Sequence, residues 1–103
     1  MNENEFNQQA DSALARIETA LDNCGGDVEC NRSGNVLEIE FDNGQKIIVN
    51  RHDANHEIWV AAISGGFHYA WQNGAWRSRR DGSELFGKLV ELVRSGSGET
   101  LTF

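Results

Sequence analysis

Val36-Leu-Glu-Ile-Glu-Phe-Asp-Asn-Gly-Gln-Lys-Ile-Ile-Val-Asn50 is the stretch on which the fold turns. Two runs of strand-forming residues flank Asn43-Gly44. In the first, Leu37, Ile39 and Phe41 fall on one side and Val36, Glu38 and Glu40 on the other, the period of two that a half-buried strand requires. Asn-Gly between such runs is a strong hairpin signal, because a type I′ turn needs positive φ at both central residues. The stretch therefore predicts an antiparallel pair with one apolar face.

The same grammar continues outward. Residues 57–63 read as a strand, Gly65-Gly66 as a turn, 67–72 as a strand, Asn73-Gly74 as a turn and 75–79 as a strand, which together imply a meander. Residues 28–32 read as a short strand before the quoted stretch. Earlier still, Phe6, Ala10, Ala13, Leu14, Ile17, Ala20 and Leu21 recur at helical spacing over residues 5–23, and Gly25-Gly26 ends that helix. A second helix is expected after Asp81-Gly82, with Ser83 as N-cap, Glu84 near the positive helix end, and Leu85, Phe86, Leu89, Leu92 and Val93 as its apolar stripe. Ser95-Gly-Ser-Gly98 reads as a flexible connector to a short tail. The expected class is α+β, one domain over residues 1–103, with two helices packed on one face of a five- to six-stranded antiparallel sheet. The other sheet face then meets solvent.

Charge is unevenly distributed. Residues 1–42 carry ten acids against Arg16 and Arg32, whereas residues 43–103 carry six acids against seven bases, within a total of −7. A one-sided field of this kind attracts cations or a basic partner and repels nucleic acid and anionic membrane. No apolar run reaches the roughly 20 residues that span a bilayer. The acidic start lacks the features of a signal or transit peptide, so a cytoplasmic location is expected. Cys24 and Cys30 show no zinc-ligand spacing and are expected to be thiols in a reducing compartment.

Three groups of residues are candidates for function. Asp11, Glu18 and Asp22 lie together on one flank of the first helix, with Asp27 and Glu29 just beyond it. Their oxygens suit hard or borderline cations without selecting one metal; a plain solvated helix face has the same pattern. Trp59 alternates with Ile58 and Val60, which places it on the open sheet face beside Ile48, Asn50 and His68; the reverse register would bury it. A large aromatic on a solvent-facing sheet is a candidate interface anchor. His52, His56 and His68 show no convergent spacing and read as surface residues, and Arg77, Arg79 and Arg80 form a small basic cluster. No nucleophile with a neighbouring base and no phosphate-binding glycine loop is present, so a binding module is expected rather than an enzyme.

Asn43-Gly-Gln-Lys-Ile-Ile-Val-Asn-Arg51, His56-Glu-Ile-Trp-Val-Ala61, Gly65-Gly-Phe-His-Tyr69, Trp76 and Ser83-Glu-Leu-Phe86, following an acidic first helix, give the chain a resemblance to bacterial frataxin over essentially its full length. Glu57 stands where that family often has Gln, and Ala54 where Pro is common. The resemblance implies a sandwich of two helices on a sheet that binds iron weakly through Asp11, Glu18, Asp22, Asp27 and Glu29. It also implies a role in iron–sulfur cluster assembly, by docking on a cysteine desulfurase and its scaffold protein through Glu18, Asp22, Asn50, Trp59 and His68. The role implied is regulation of cluster synthesis, with iron donation as a further possibility and a monomeric state in the absence of iron. The alternative reading is a metal-independent acidic interaction or inhibitor domain. Binding of single-stranded nucleic acid on the sheet is disfavoured by the net charge of −7.

Overall fold

The computed structural model describes residues 1–26 and 28–103. The element order is α1 (Glu3–Asn23), β1 (Val28–Ser33), β2 (Val36–Phe41), β3 (Lys46–His52), a 3-10 turn at Asp53–Asn55, β4 (Glu57–Ala62), β5 (Gly65–Gln72), β6 (Ala75–Ser78) and α2 (Leu85–Ser97). All six strands join one antiparallel sheet in the order β1-β2-β3-β4-β5-β6. Each strand pairs with its sequence neighbour, so the turn residues alone suffice to set the topology.

The helical stripe of α1 is buried in full, from Phe6 to Leu21. It shares one core with Leu37, Ile39, Ile47, Val49, Ile58, Val60, Tyr69, Trp76 and the α2 residues Leu85, Leu89, Leu92 and Val93. Both helices therefore cover the same sheet face. α1 begins earlier than its apolar spacing indicates, because Asn2 caps it. The Asn2 Oδ1 accepts from the Glu5 backbone N–H at 2.8 Å, and the Asn2 amide donates to the Glu5 carboxylate at 2.9 Å. The first of these satisfies one of the N–H groups that a bare helix start leaves open, and the second holds the cap side chain in place. Arg51, at the end of β3, ties α1 to the sheet. Its guanidinium donates to Asp11 and Asn7 on α1 and pairs with Asp53 at 3.3 Å, over the Phe6 ring at 5.3 Å.

Three expectations are corrected. At Asn43-Gly44 only the glycine has positive φ, at 86°. The Gly44 N–H donates to the Phe41 carbonyl at 3.0 Å and the Phe41 N–H to the Gln45 carbonyl at 2.9 Å. This is a three-residue loop with a glycine bulge, not a type I′ turn. Asn43 instead uses its side chain, accepting from the Gln45 N–H at 2.9 Å and donating to the Gly96 carbonyl at 3.1 Å. The two-residue form with both angles positive occurs at Asn73-Gly74, where φ is 52° and 80°.

The N-cap of α2 is Glu84, not Ser83: its carboxylate accepts from the Phe86 and Gly87 N–H groups at 3.3 and 3.4 Å. The Ser83 hydroxyl is engaged by Asp81 at 2.7 Å. The third correction concerns Ser95-Gly-Ser, which continues α2 rather than linking it to the tail. The Ser97 hydroxyl donates to the Val93 carbonyl at 2.7 Å, and Gly98, at φ 80°, closes the helix.

Gly96 sits where a Cβ would overlap the buried Phe41 ring. Helix propensity alone favours alanine there by about 1 kcal/mol, yet overpacking a filled core costs about 1–3 kcal/mol. Gly96→Ala is therefore expected to lower the melting temperature, as read by thermal circular dichroism. A rise would show that the Phe41 ring moves aside freely.

Candidate functional site

The acidic flank of α1 splits into a compensated half and an open half. Arg32 on β1 reaches across to Asp11 and Glu18, each at 3.2 Å, and Asp11 also takes Arg51. Asp22, one turn beyond Glu18, is exposed and has no ion pair among the described residues. Asp27 lies outside the described residues.

Strand alternation separates Glu29 from the helix. Its neighbour Cys30 packs against the core, close enough to α1 that, after burial, the charges of Glu18 and Asp22 push its thiol up to about 11. Glu29 therefore projects from the opposite side of β1, onto the open sheet face. There it stands directly across from Glu40, which in turn faces Lys46. Lys46 bonds to Glu38 at 3.1 Å. That bond, then the charges of Glu38 and Glu40, raise the ammonium pKa. Glu29, Glu40 and Asp42 line an open groove of about 380 Å³ with Gly26, Val28 and Phe41. Like charges opposite one another on a ladder are destabilising, a penalty that a bound cation would relieve.

Among the described residues, no three His, Cys, Asp or Glu side chains are placed to hold one metal ion. A metal meeting this edge finds separate, solvated carboxylates instead of a preformed chelate.

The second set of candidates is brought together. Asn50, Trp59 and His68 lie in one row across β3, β4 and β5. Ile58 and Val60 are buried beneath the helices, which leaves Trp59 half-buried on the open face. Two of the three histidines converge, in contrast to the expectation from spacing. His52 stacks on Trp59 at 3.8 Å between ring centroids, and His68 stacks at 4.2 Å, both nearly coplanar with it. His56 stacks on Phe6 at 5.1 Å. The Trp59 indole N–H donates to Glu57 at 2.8 Å, and Glu57, buried despite its charge, lies 3.7 Å from the Arg79 guanidinium.

Four residues of these two surfaces were given no role there from sequence: Arg32, Arg51, His52 and Glu57. For His52 a signal existed, since it follows Asn50 by two residues and so shares its face. For Arg32, by contrast, only the distance from β1 to α1 reveals the pairing. Across the open face the charge runs from acids on β1 and β2, through the aromatic row, to arginines at the end of β6.

A two-helix, one-sheet domain with an acidic edge and an aromatic row on its bare sheet defines a class of small binding proteins. Comparison with known proteins gives the family. The model of the frataxin-like domain matches residues 1–99, and the chain belongs to the frataxin family, which is involved in iron–sulfur cluster assembly. The iron-sulfur cluster assembly protein CyaY of Chromobacterium violaceum is 52% identical over 103 residues, covering 100% of this chain and 98% of its own. The frataxin of Psychromonas ingrahamii superimposes with a TM-score of 0.93 at 37% identity, over 98% of this chain and 96% of its own. A trimeric frataxin from the yeast Saccharomyces cerevisiae, complexed with ferrous iron, gives 0.60 at 28% identity, over 95% of this chain and 88% of its own.

Two outcomes follow. Arg32→Gln frees Glu18, whereas Asp11 stays paired with Arg51, at the cost of half-exposed pairs each worth about 0–1 kcal/mol. Stability should change little while Co²⁺ affinity, followed by amide NMR, rises. An unchanged or lower affinity would mean that Glu18 takes no part in binding cations. Cys30 gives a pH dependence. Its folded pKa, about 11 against an ordinary 9.0, lies above the unfolded value. The native state therefore holds the proton longer, and the associated stability, complete below about pH 9, is lost as pH rises towards 11. Cys30→Ala should flatten the fall in urea midpoint across that window.

Proposed function

We propose that the chain is an iron-binding member of the iron–sulfur cluster assembly machinery that is not itself an enzyme. In this reading it docks on a cysteine desulfurase and its scaffold protein and regulates their output. The observation that carries the reading is the run of acids along one edge that have no ion pair among the described residues, Asp22 on α1 with Glu29 and Asp42 on the sheet, next to the Trp59 row. Exposed carboxylates that attract a basic surface speed encounter and fix its orientation. The same oxygens suit iron as a transient cargo, held by few ligands and exchanged readily, since the described residues offer no enclosed site. Family membership supports the assembly role, and the ferrous complex of the yeast relative supports iron as the metal. Asp11 and Glu18 belong to the same edge in this reading, with Glu18 available once Arg32 swings away while Asp11 stays with Arg51. Cys24 and Cys30 are free thiols, which suits a cytoplasmic place of action.

A second reading, a metal-independent acidic interaction domain, draws on the arginines already held by Asp11 and Glu18. One experiment separates the two. Asp22→Asn combined with Glu29→Gln should weaken desulfurase binding by about three- to tenfold at low salt, with the difference shrinking as salt screens the edge. The same variant should lose the Fe²⁺-induced broadening of amides along residues 18–30. Lost docking with no metal response in the unmodified chain would favour the metal-independent reading. Unchanged docking would overturn both.

A further inference from the structure

Trp59 is held on every side but one. His52 covers one face of its indole and His68 the other, at 3.8 and 4.2 Å and within 6° and 9° of parallel. The N–H corner is fixed by the Glu57 carboxylate at 2.8 Å. Glu57 is itself buried and is approached by Arg79 at 3.7 Å. With a ring from a neighbouring strand against each face, the indole stands edge-up on the sheet. A bare surface tryptophan samples several rotamers and loses that freedom on binding, a cost of about 0.5–1.5 kcal/mol for each immobilised side chain.

We infer that Glu57, His52 and His68 are positioning residues that lock Trp59 edge-on, so that a partner receives the rim of the indole in a narrow apolar slot rather than stacking on its face. None of the three lies in the core beneath the helices; they share the open face with Trp59, so their contacts organise the surface. The His52 ring is held by stacking on Trp59, and its buried Nδ1 has no hydrogen-bond partner among the described residues. Glu57 suits its post because one carboxylate oxygen accepts from the indole while the other lies 3.7 Å from the Arg79 guanidinium as an ion pair. The inference rests on the reading that this face docks a partner, but its central claim concerns the chain alone.

The test uses the full chain labelled with ¹⁵N at tryptophan. In the unmodified protein, the Trp59 indole N–H should exchange slowly with solvent, and the ring should show nuclear Overhauser contacts to both imidazoles. Glu57→Gln keeps an acceptor oxygen and should preserve these signals. Glu57→Leu removes the acceptor at similar size and should speed indole exchange by about tenfold. It should also weaken binding to the desulfurase–scaffold complex by a similar factor, while Glu57→Gln stays within about twofold. Should Glu57→Leu fail to fold, His52→Ala with His68→Ala provides the second arm, broadening the Trp59 ring signals and lowering the same affinity. Indole signals unchanged in Glu57→Leu or in the double histidine variant would overturn the inference, as would missing imidazole contacts in the unmodified protein. If those signals behave as stated but Trp59→Ala binds the complex normally, the docking reading fails while the locked ring stands.

Discussion

Burial of the α1 stripe against the sheet is the constraint from which the rest follows. Phe6, Ala10, Leu14, Ile17 and Leu21 occupy one side of the helix, so its acids are forced to the flank beside β1. Six strands with one apolar side need that side covered, and the two helices use it up. What remains in water is one acidic edge and one bare sheet face. Both surfaces of interest are therefore by-products of a single packing decision.

Electrostatics then divides the edge. Arg32 and Arg51 are drawn to Asp11 and Glu18 because they sit on the strand ends nearest α1. Nothing comparable reaches Asp22, Glu29 or Asp42 among the described residues. The compensated half fastens the helix to the sheet, and Arg51, almost fully covered, contributes most to that. The open half retains the charge that acts at a distance. A small domain thus separates a structural use of carboxylates from an interactive one within a few residues of the same helix.

The bare face shows the complementary economy. An exposed tryptophan is a liability for solubility unless its faces are covered, and here two imidazoles cover them while leaving the rim available. Histidine serves because a flat, small, partly polar ring covers an indole without adding a new apolar patch. The Glu57 carboxylate adds a second contact, to Arg79 at 3.7 Å, that links the aromatic row to the basic end of β6.

The period of two in Val36–Phe41, the repeated turn signals and the helical spacing from Phe6 to Leu21 pointed to the meander and to most of the buried residues, while the structure chose between the two registers for Trp59. Those features are local: each depends on neighbours a few positions away, and alternation carries their consequences across the sheet. Which carboxylates are free, how His52 and His68 find Trp59, why Asn43 turns by its side chain and why α2 runs on through Gly96 were settled only in three dimensions. For the carboxylates, Asn43 and Gly96 the deciding partner is far away in the chain, Arg32 for Glu18, Gly96 for Asn43 and Phe41 for Gly96, while His52 and His68 meet on Trp59 only because the sheet register brings their strands alongside it. Side-chain reach and ring contact of that kind leave no periodic trace in a sequence.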